Sequence, residues 1–325
     1  MYSALGNTAN PLFASAIPLA ARVNTVNQEE ASMRVVVAGA SGVIGTALTP
    51  VLRDAGHEVL RLVRRPAAAA DERSWDPDAG VIADGALDGA DAVINLCAVD
   101  TTAKRWTPAF KQELLDSRVA PTRVLAEAVA SSGVPALLNS SSVAYYGDTG
   151  DRVITESEPA GTGFLAEMDR DREAAVVAAG DARVVSLRTG IVLSPRGGLL
   201  GQLRPMVAWG FGGRMGSGQQ YLSWISLHDE VAAIQFALEH NEIRGPLNLS
   251  GPTPVTNAEM VRAVGRLLHR PTPWVYPAWL LRAFAGELAD AGALTGQRAV
   301  PDALLRHGFS FRHATVGDAL ASAFG

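Results

Sequence analysis

Met33-Arg-Val-Val-Val-Ala-Gly39-Ala-Ser-Gly42-Val-Ile-Gly45 decides the fold. Residues 34–38 form a short, β-branched apolar run, the pattern of a strand buried on both faces. Three glycines follow at spacing three, and residues 43–55 then carry the apolar periodicity of a helix. A strand, a tight glycine turn and a helix bring backbone N–H groups and a helix N-terminus up to a pyrophosphate. Gly39 makes the turn, Gly42 lets phosphates approach, and Gly45 lets the helix pack on the sheet. Ser41, Val43 and Ile44 belong to the same cradle. A glycine triplet alone says little; the flanking strand and helix give it meaning.

Outward from this stretch the pattern repeats. Gly56 ends the first helix, and residues 57–63 read as a second strand with Arg64 and Arg65 at its C-terminal end. A site preferring NAD places an acid there for the ribose hydroxyls, whereas arginine suits a 2′-phosphate. The expected cofactor is therefore NADP rather than NAD, with Arg64 as its anchor; the competing reading is a solvated arginine pair. A short strand is expected at 81–82, and buried strands at 92–96, 136–140 and 183–189. Thr107-Pro108 starts a helix that runs to Ser132, with a break near Pro121, and residues 163–180 form another.

Strands alternating with helices in this way specify an α/β fold, a Rossmann-like doubly wound parallel sheet. Beyond Gly190, glycine clusters interrupt short apolar pieces, and helices are expected near 231–239, 258–268 and 278–288. The expected organisation is a dinucleotide-binding domain at 33–190 and a smaller, mostly helical, interleaved substrate domain at 191–325, with residues 246–249 returning to the main sheet.

Composition narrows the function. The 325 residues are 48% hydrophobic and 19% charged, enough for a sizeable core. A net charge of −5 argues against nucleic acid as a partner. No apolar run approaches the roughly 20 residues that cross a bilayer, so no membrane role is expected and the location read is cytoplasmic. Residues 1–32 lack the basic start and apolar centre of a secretory signal and read as a disordered extension or a start-site artefact. The single cysteine, Cys97, excludes disulfides and a cysteine-based metal site, and no metal is expected.

The chemistry-bearing segment is Asn139-Ser-Ser-Ser142-Val-Ala-Tyr145-Tyr146-Gly147, leaving a strand at the end that faces the cofactor crevice. A serine hydroxyl can bond a substrate oxygen there, and a tyrosine can move a proton. With these residues the chain resembles the extended, nucleotide-sugar-epimerase-like branch of the short-chain dehydrogenase/reductase superfamily. More closely it is similar to an atypical epimerase subgroup, some of whose members carry a label as cell-division inhibitors. Gly39-Ala-Ser-Gly-Val-Ile-Gly45, Lys104-Arg105-Trp106, Ser117-Arg118 and Tyr145-Tyr146-Gly147-Asp148 carry the resemblance. So do Leu187-Arg188-Thr189-Gly190, Gly216-Ser-Gly-Gln219, Ser223-Trp224-Ile225 with Asp229, and Gln297-Arg298 with Pro301.

The resemblance implies a Rossmann-type domain, a C-terminal domain of unassigned function and a catalytic serine at Ser142. It also implies cofactor contacts at Cys97 and Ala98, and a homodimer through the helix at 107–132. Here the sequence departs from the superfamily. A tyrosine with a lysine four residues on is expected, yet the five tyrosines have Gly6, Thr149, Gly150, Ile225 and Leu280 at that offset. Aligned on Glu156–Pro159, Leu165 and Asp169 stand where the pair belongs, and neither is expected to do its work. The substitute read from sequence is Tyr146 as proton donor, with Lys104 or Arg105 polarising a carbonyl or lowering its pKa. The plainer reading packs Tyr146 in a loop and leaves Lys104 solvated.

Arg188 and Arg214 are candidates for holding an anionic substrate, and Arg188 is equally readable as an interdomain ion pair. Asp229 reads as an N-terminal cap or first-turn acid of a helix. Two functions follow: an NADP-dependent epimerase-like oxidoreductase acting on a small carbonyl, alcohol or sugar-derived substrate, or a protein that binds NADP as a sensor without turning it over.

Overall fold

A computed structural model describes residues 32–195 and 197–324. The expectation for residues 1–32 falls, except for Ser32, outside them. β1 (Arg34–Ala38), with Val35 to Ala38 fully buried, lies at the middle of an eight-stranded sheet. On one side it pairs in parallel with β2 (Glu58–Val63), followed by β3 (Glu72–Asp76) and the short antiparallel β4 (Val81–Ile82). On the other side come β5 (Ala92–Asn95), β6 (Ala136–Ser142), β8 (Arg183–Thr189) and β13 (Gly245–Leu249), all parallel. The chain works outward from β1 to β4 and then returns to β5 on the other flank. That reversal opens a crevice at the carboxyl ends of β1 and β5.

Helices cover both faces. α1 (Val43–Asp54) and α5 (Leu227–Glu239) pack on one; α2 (Pro108–Ser132) covers the other, with α3 (Phe164–Ala175) against it. Apolar side chains of alternate strand residues fill two separate cores, such as Val35 and Val37 above and Val36 and Ala38 below. A third core gathers α4 (Gly198–Ala208), α6 (Asn257–Leu267) and α9 (Val316–Phe324) around Trp224.

Two-stranded ladders stitch the later chain together. β9 (Ile191–Leu193) pairs with β12 (Trp224–Ser226), β10 (Gly213–Met215) with β15 (Trp274–Tyr276), and β11 (Tyr221–Leu222) with β14 (Val255–Thr256). β7 (Val153–Ile154) pairs with β16 (Arg298–Ala299), so Arg298 serves the docking of two chain segments. α7 (Ala278–Ala285) and α8 (Asp302–Arg306) complete the chain order. The expected return of residues 246–249 to the main sheet is seen as β13.

Two expectations are corrected. α2 is continuous through Pro121: Thr107 caps its start, accepting from the Phe110 N–H at 3.2 Å, and Gly133 ends it at φ 66°. Proline removes one hydrogen bond of a 25-residue helix, and burial of Pro121, Thr122, Val124 and Leu125 outweighs that loss. β3 joins the sheet although Glu-Arg-Ser-Trp-Asp carries no apolar alternation. An edge strand can hold polar residues, and its Glu72 is neutralised by arginines of β2 and the turn after it.

Candidate functional site

The glycine turn meets the exit of β5. Gly39 has φ 82°, and a Cβ there would lie 2.7 Å from the Leu96 carbonyl carbon; a Cβ on Gly45 would lie 2.5 Å from the Gly39 oxygen. Only hydrogen fits at either point. Gly42 is the N-cap of α1 with no side-chain cap, and no acid occupies the first turn. The first-turn N–H groups therefore lack helical partners, the arrangement that leaves donors open to an anion.

A cleft of about 980 Å³ runs from this turn. Gly39, Ala40, Ser41 and Gly42 floor one end, the exit of β2 lines a second side, and Leu96, Cys97, Ala98 and Val99 a third. Val43 is exposed beside the turn, while Ile44 packs into the core. Three arginines border the cleft. Arg65 forks onto Glu72 with two 2.8 Å bonds, and Arg61 forks onto Asp71 at 2.9 and 3.0 Å. The Arg65 fork holds the Glu72 carboxyl far down, to about 2. Arg64 is exposed and has neither a hydrogen bond nor an ion pair among the described residues.

The wall at 97–99 is held from beneath by two buried arginines. Arg172 of α3 donates to the Cys97 carbonyl at 2.9 Å and to Ser140 Oγ; Arg118 of α2 donates to the Val99 carbonyl at 3.0 Å. Asn95 bonds Asn139 at 2.7 Å and Thr122 at 3.2 Å, and its own oxygen accepts from the Cys97 N–H at 3.1 Å. Burial pushes the Cys97 thiol up to about 11, so it is an unreactive wall residue.

At the end of β6, Ser142 Oγ donates to Asp169 Oδ2 at 2.5 Å and accepts from the Ala144 N–H at 3.1 Å. Asp169 is 1% exposed, and burial raises its carboxyl to about 6 against the opposing pull of Ser142, Arg172 and Arg118. Sequence reasoning missed Arg172 and gave Asn95 no role, and it placed Asp169 at the lysine's position in the alignment but ruled it out for that work.

The remaining candidates go elsewhere. Tyr146 is 3% exposed; its hydroxyl donates to Asn248 Oδ1 at 2.7 Å and accepts from Arg188 Nη1 at 2.9 Å. Burial pushes it up to about 12, the opposite of an activated phenol. The ring also borders a second cavity of about 510 Å³, near Gly161 and Gln297, but its hydroxyl is spent inward. Lys104 lies on the exposed loop before α2, paired with Glu113 at 2.9 Å and touching neither Ser142 nor Tyr146. The Tyr146–Lys104 pairing read from sequence is thus replaced by two unrelated contacts.

Arg188 is buried in a two-point ion pair with Glu173, at 2.9 and 2.8 Å, stacked 3.6 Å over the Tyr145 ring. It braces α3 on the sheet rather than meeting a substrate. Arg214 closes its own turn by donating to the carbonyls of Gly216 and Ser217. Asp229 accepts from the Arg312 and His313 N–H groups and from Ser226, tying the segment before α9 to the start of α5. His228 and His313 stand beside it. Each histidine Nδ1 lies 3.5 Å from an Asp229 oxygen, and the cluster serves as this tether.

Known proteins share the sequence pattern and the fold. The model of the NAD dependent epimerase/dehydratase family matches residues 35–249, and a domain of unknown function, DUF1731, matches residues 276–323. An epimerase family protein of Mycobacterium bovis is 54% identical over 291 residues, covering 89% of this chain and 97% of its own. The crystal structure of human epimerase family protein SDR39U1 with NADPH is 33% identical with a TM-score of 0.84, covering 90% of this chain and 100% of that one. A nucleoside-diphosphate sugar epimerase from Corynebacterium glutamicum is 35% identical with a TM-score of 0.76, covering 91% of this chain and 59% of that one. The chain belongs to the NAD dependent epimerase/dehydratase family, with a nicotinamide-dinucleotide-binding fold of the short-chain dehydrogenase/reductase type and a DUF1731 domain at its C-terminus.

Proposed function

We propose that this protein is an NADP-dependent oxidoreductase of the epimerase/dehydratase kind, acting on a small carbonyl, alcohol or sugar-derived substrate. One observation carries the cofactor preference. Of the three arginines on the cleft, two are neutralised by Asp71 and Glu72, and Arg64 is left uncommitted at the end of β2. A guanidinium with open donors suits a 2′-phosphate. Glu72, the acid that would accept from ribose hydroxyls, is covered by Arg65, Arg61 and the Ala68 N–H. The NADPH in the similar human structure supports the same choice.

The residues present fit a dinucleotide. Gly39, Ser41 and Gly42 with the N–H groups of α1 would hold the pyrophosphate, Arg64 the 2′-phosphate, and the 97–99 wall the nicotinamide end. Bound there, the group supplies hydride chemistry. The chain's own part is to fix that wall through Arg172 and Arg118, exclude water, and present Ser142 to a substrate oxygen.

The test is isotope transfer. NADPH carrying deuterium at the transferable C4 position is incubated with the protein and a panel of sugar nucleotides and small aldehydes and ketones. Deuterium on a product carbon is expected. Tight NADPH binding with no transfer to any member would instead favour the sensor reading.

A further inference from the structure

We propose that Ser142 and Asp169 are the proton-handling pair of this site, doing the work that the superfamily gives to tyrosine and lysine. The proposal rests on the oxidoreductase reading above. It starts from register. β5 ends its pairing at Asn95↔Asn139, while β6 continues beside β8 to Ser142↔Thr189. Residues 140–142 therefore run past the end of β5 at the carboxyl end of the sheet, where Arg172 ties Ser140 to the Cys97 carbonyl. Ser142 is partly exposed there, and Asp169 is buried behind it. Asp169 can reach a substrate only through the serine.

The hydroxyl geometry suits a relay. Ser142 Oγ spends its proton on Asp169 at 2.5 Å and one lone pair on the Ala144 N–H, leaving a second lone pair for a substrate O–H. Asp169 is not clamped. The guanidinium nearest it in sequence, Arg172, gives its hydrogen bonds to Cys97 and Ser140, and Arg118 gives its own to Leu114, Ser117 and Val99. Arg172 Nε lies buried without a partner among the described residues. Glu173, the other acid on α3, is locked onto Arg188 and cannot serve in this way.

Asp169 thus faces Arg118 from α2, Arg172 and Glu173 from its own helix, and Ser142 from β6. Opposed charges and burial leave both of its protonation states accessible near neutrality, in accord with a carboxyl raised to about 6.

The step balances as follows. A substrate hydroxyl gives its proton to Ser142 Oγ as the serine proton moves to Asp169 Oδ2. The carbinol carbon loses its hydride, with the electron pair, to the oxidised nicotinamide dinucleotide, and the C–O bond becomes a carbonyl. Reduction runs the same path backwards. Ser142 is the catalytic residue, and Asp169 acts only through it.

The test follows the Asp169 carboxyl by ¹³C NMR in protein labelled at aspartate, assigned with Asp169→Asn, from pH 4.5 to 8. A midpoint near 6 is expected. Ser142→Ala should raise it by about one unit, because a hydrogen bond to the charged form is lost. Saturating NADP⁺ should lower it relative to saturating NADPH, because the oxidised ring carries positive charge. If Asp169→Asn does not fold, Asp169→Glu assigns the resonance by removing it from the aspartate-labelled set. A flat Asp169 signal, or a midpoint indifferent to both Ser142→Ala and the cofactor's oxidation state, overturns the pair while leaving cofactor binding intact. A protein that binds neither dinucleotide overturns the oxidoreductase reading and the pair together.

Discussion

Buried ionisable residues separate chemistry from architecture in this molecule. Tyr146 looked like a proton donor in sequence, yet both hydrogen-bonding capacities of its hydroxyl are used inside the protein. Tyr146→Phe is therefore expected to cost about 1–3 kcal/mol of stability and to leave NADPH affinity unchanged, as read by urea unfolding and fluorescence titration. Glu230 makes a second case. It is fully buried on α5, accepts from Thr189 Oγ1 at 2.8 Å, and its Oε2 has no partner among the described residues. Burial lifts its carboxyl from the ordinary 4.5 to about 8. The folded state thus keeps a proton that the unfolded state releases, so this residue's stability is full below about 4.5 and is lost as pH rises toward 8. Glu230→Gln removes that dependence. Its melting temperature should match wild type near pH 4.5 and exceed it by a margin that grows to pH 8; a margin constant with pH would contradict the assignment.

At the scale of elements, the β1–turn–α1 unit was legible because its signal is local: a buried strand, three glycines and a helix between Arg34 and Asp54. Its glycines are not equivalent. A Cβ at Gly45 strikes backbone, whereas one at Gly42 comes no closer than 3.4 Å to the Gly39 oxygen, at an ordinary φ of −72°. Gly45→Ala should lower stability by about 1–3 kcal/mol through overpacking. Gly42→Ala should fold normally and lose NADPH affinity only, since its methyl stands where a phosphate must approach. Denaturant midpoints and titrations on the two variants distinguish these outcomes. Less of the rest was legible. Thr107-Pro108 announced the start of α2, but the weight of its buried face against Pro121 is tertiary. β3 carries no period at all; it is a strand because Arg61 and Arg65 neutralise Glu72, a fact spread over elements apart in sequence.

Over the whole molecule, the sheet order brings Gly39, Ser41, Gly42, Arg64, Cys97 and Ala98 onto one crevice, whereas Val43, Ile44 and Gly45 lie off its lining; the crevice itself was legible from glycines and strand ends. What lies beneath it was not. Asp169, Arg172, Arg118 and Asn95 come from α3, α2 and β5, and only the packing of α2 against α3 brings them under the Cys97 wall. No spacing rule encodes such a meeting. Lys104 shows the converse, since its place on a crevice-side loop suggested chemistry and Glu113 takes it. Cofactor bound only by the native state should raise the melting temperature, with about 2.7 kcal/mol gained at a hundred times the Kd. The most direct measurement is fluorescence titration with NADPH and NADH of wild type, Arg64→Ala and Gly42→Asp. The account predicts that wild type prefers NADPH, that Arg64→Ala loses about tenfold or more in NADPH affinity with little change for NADH, and that Gly42→Asp binds neither. Equal affinity for both dinucleotides in wild type, or none for either, would contradict it.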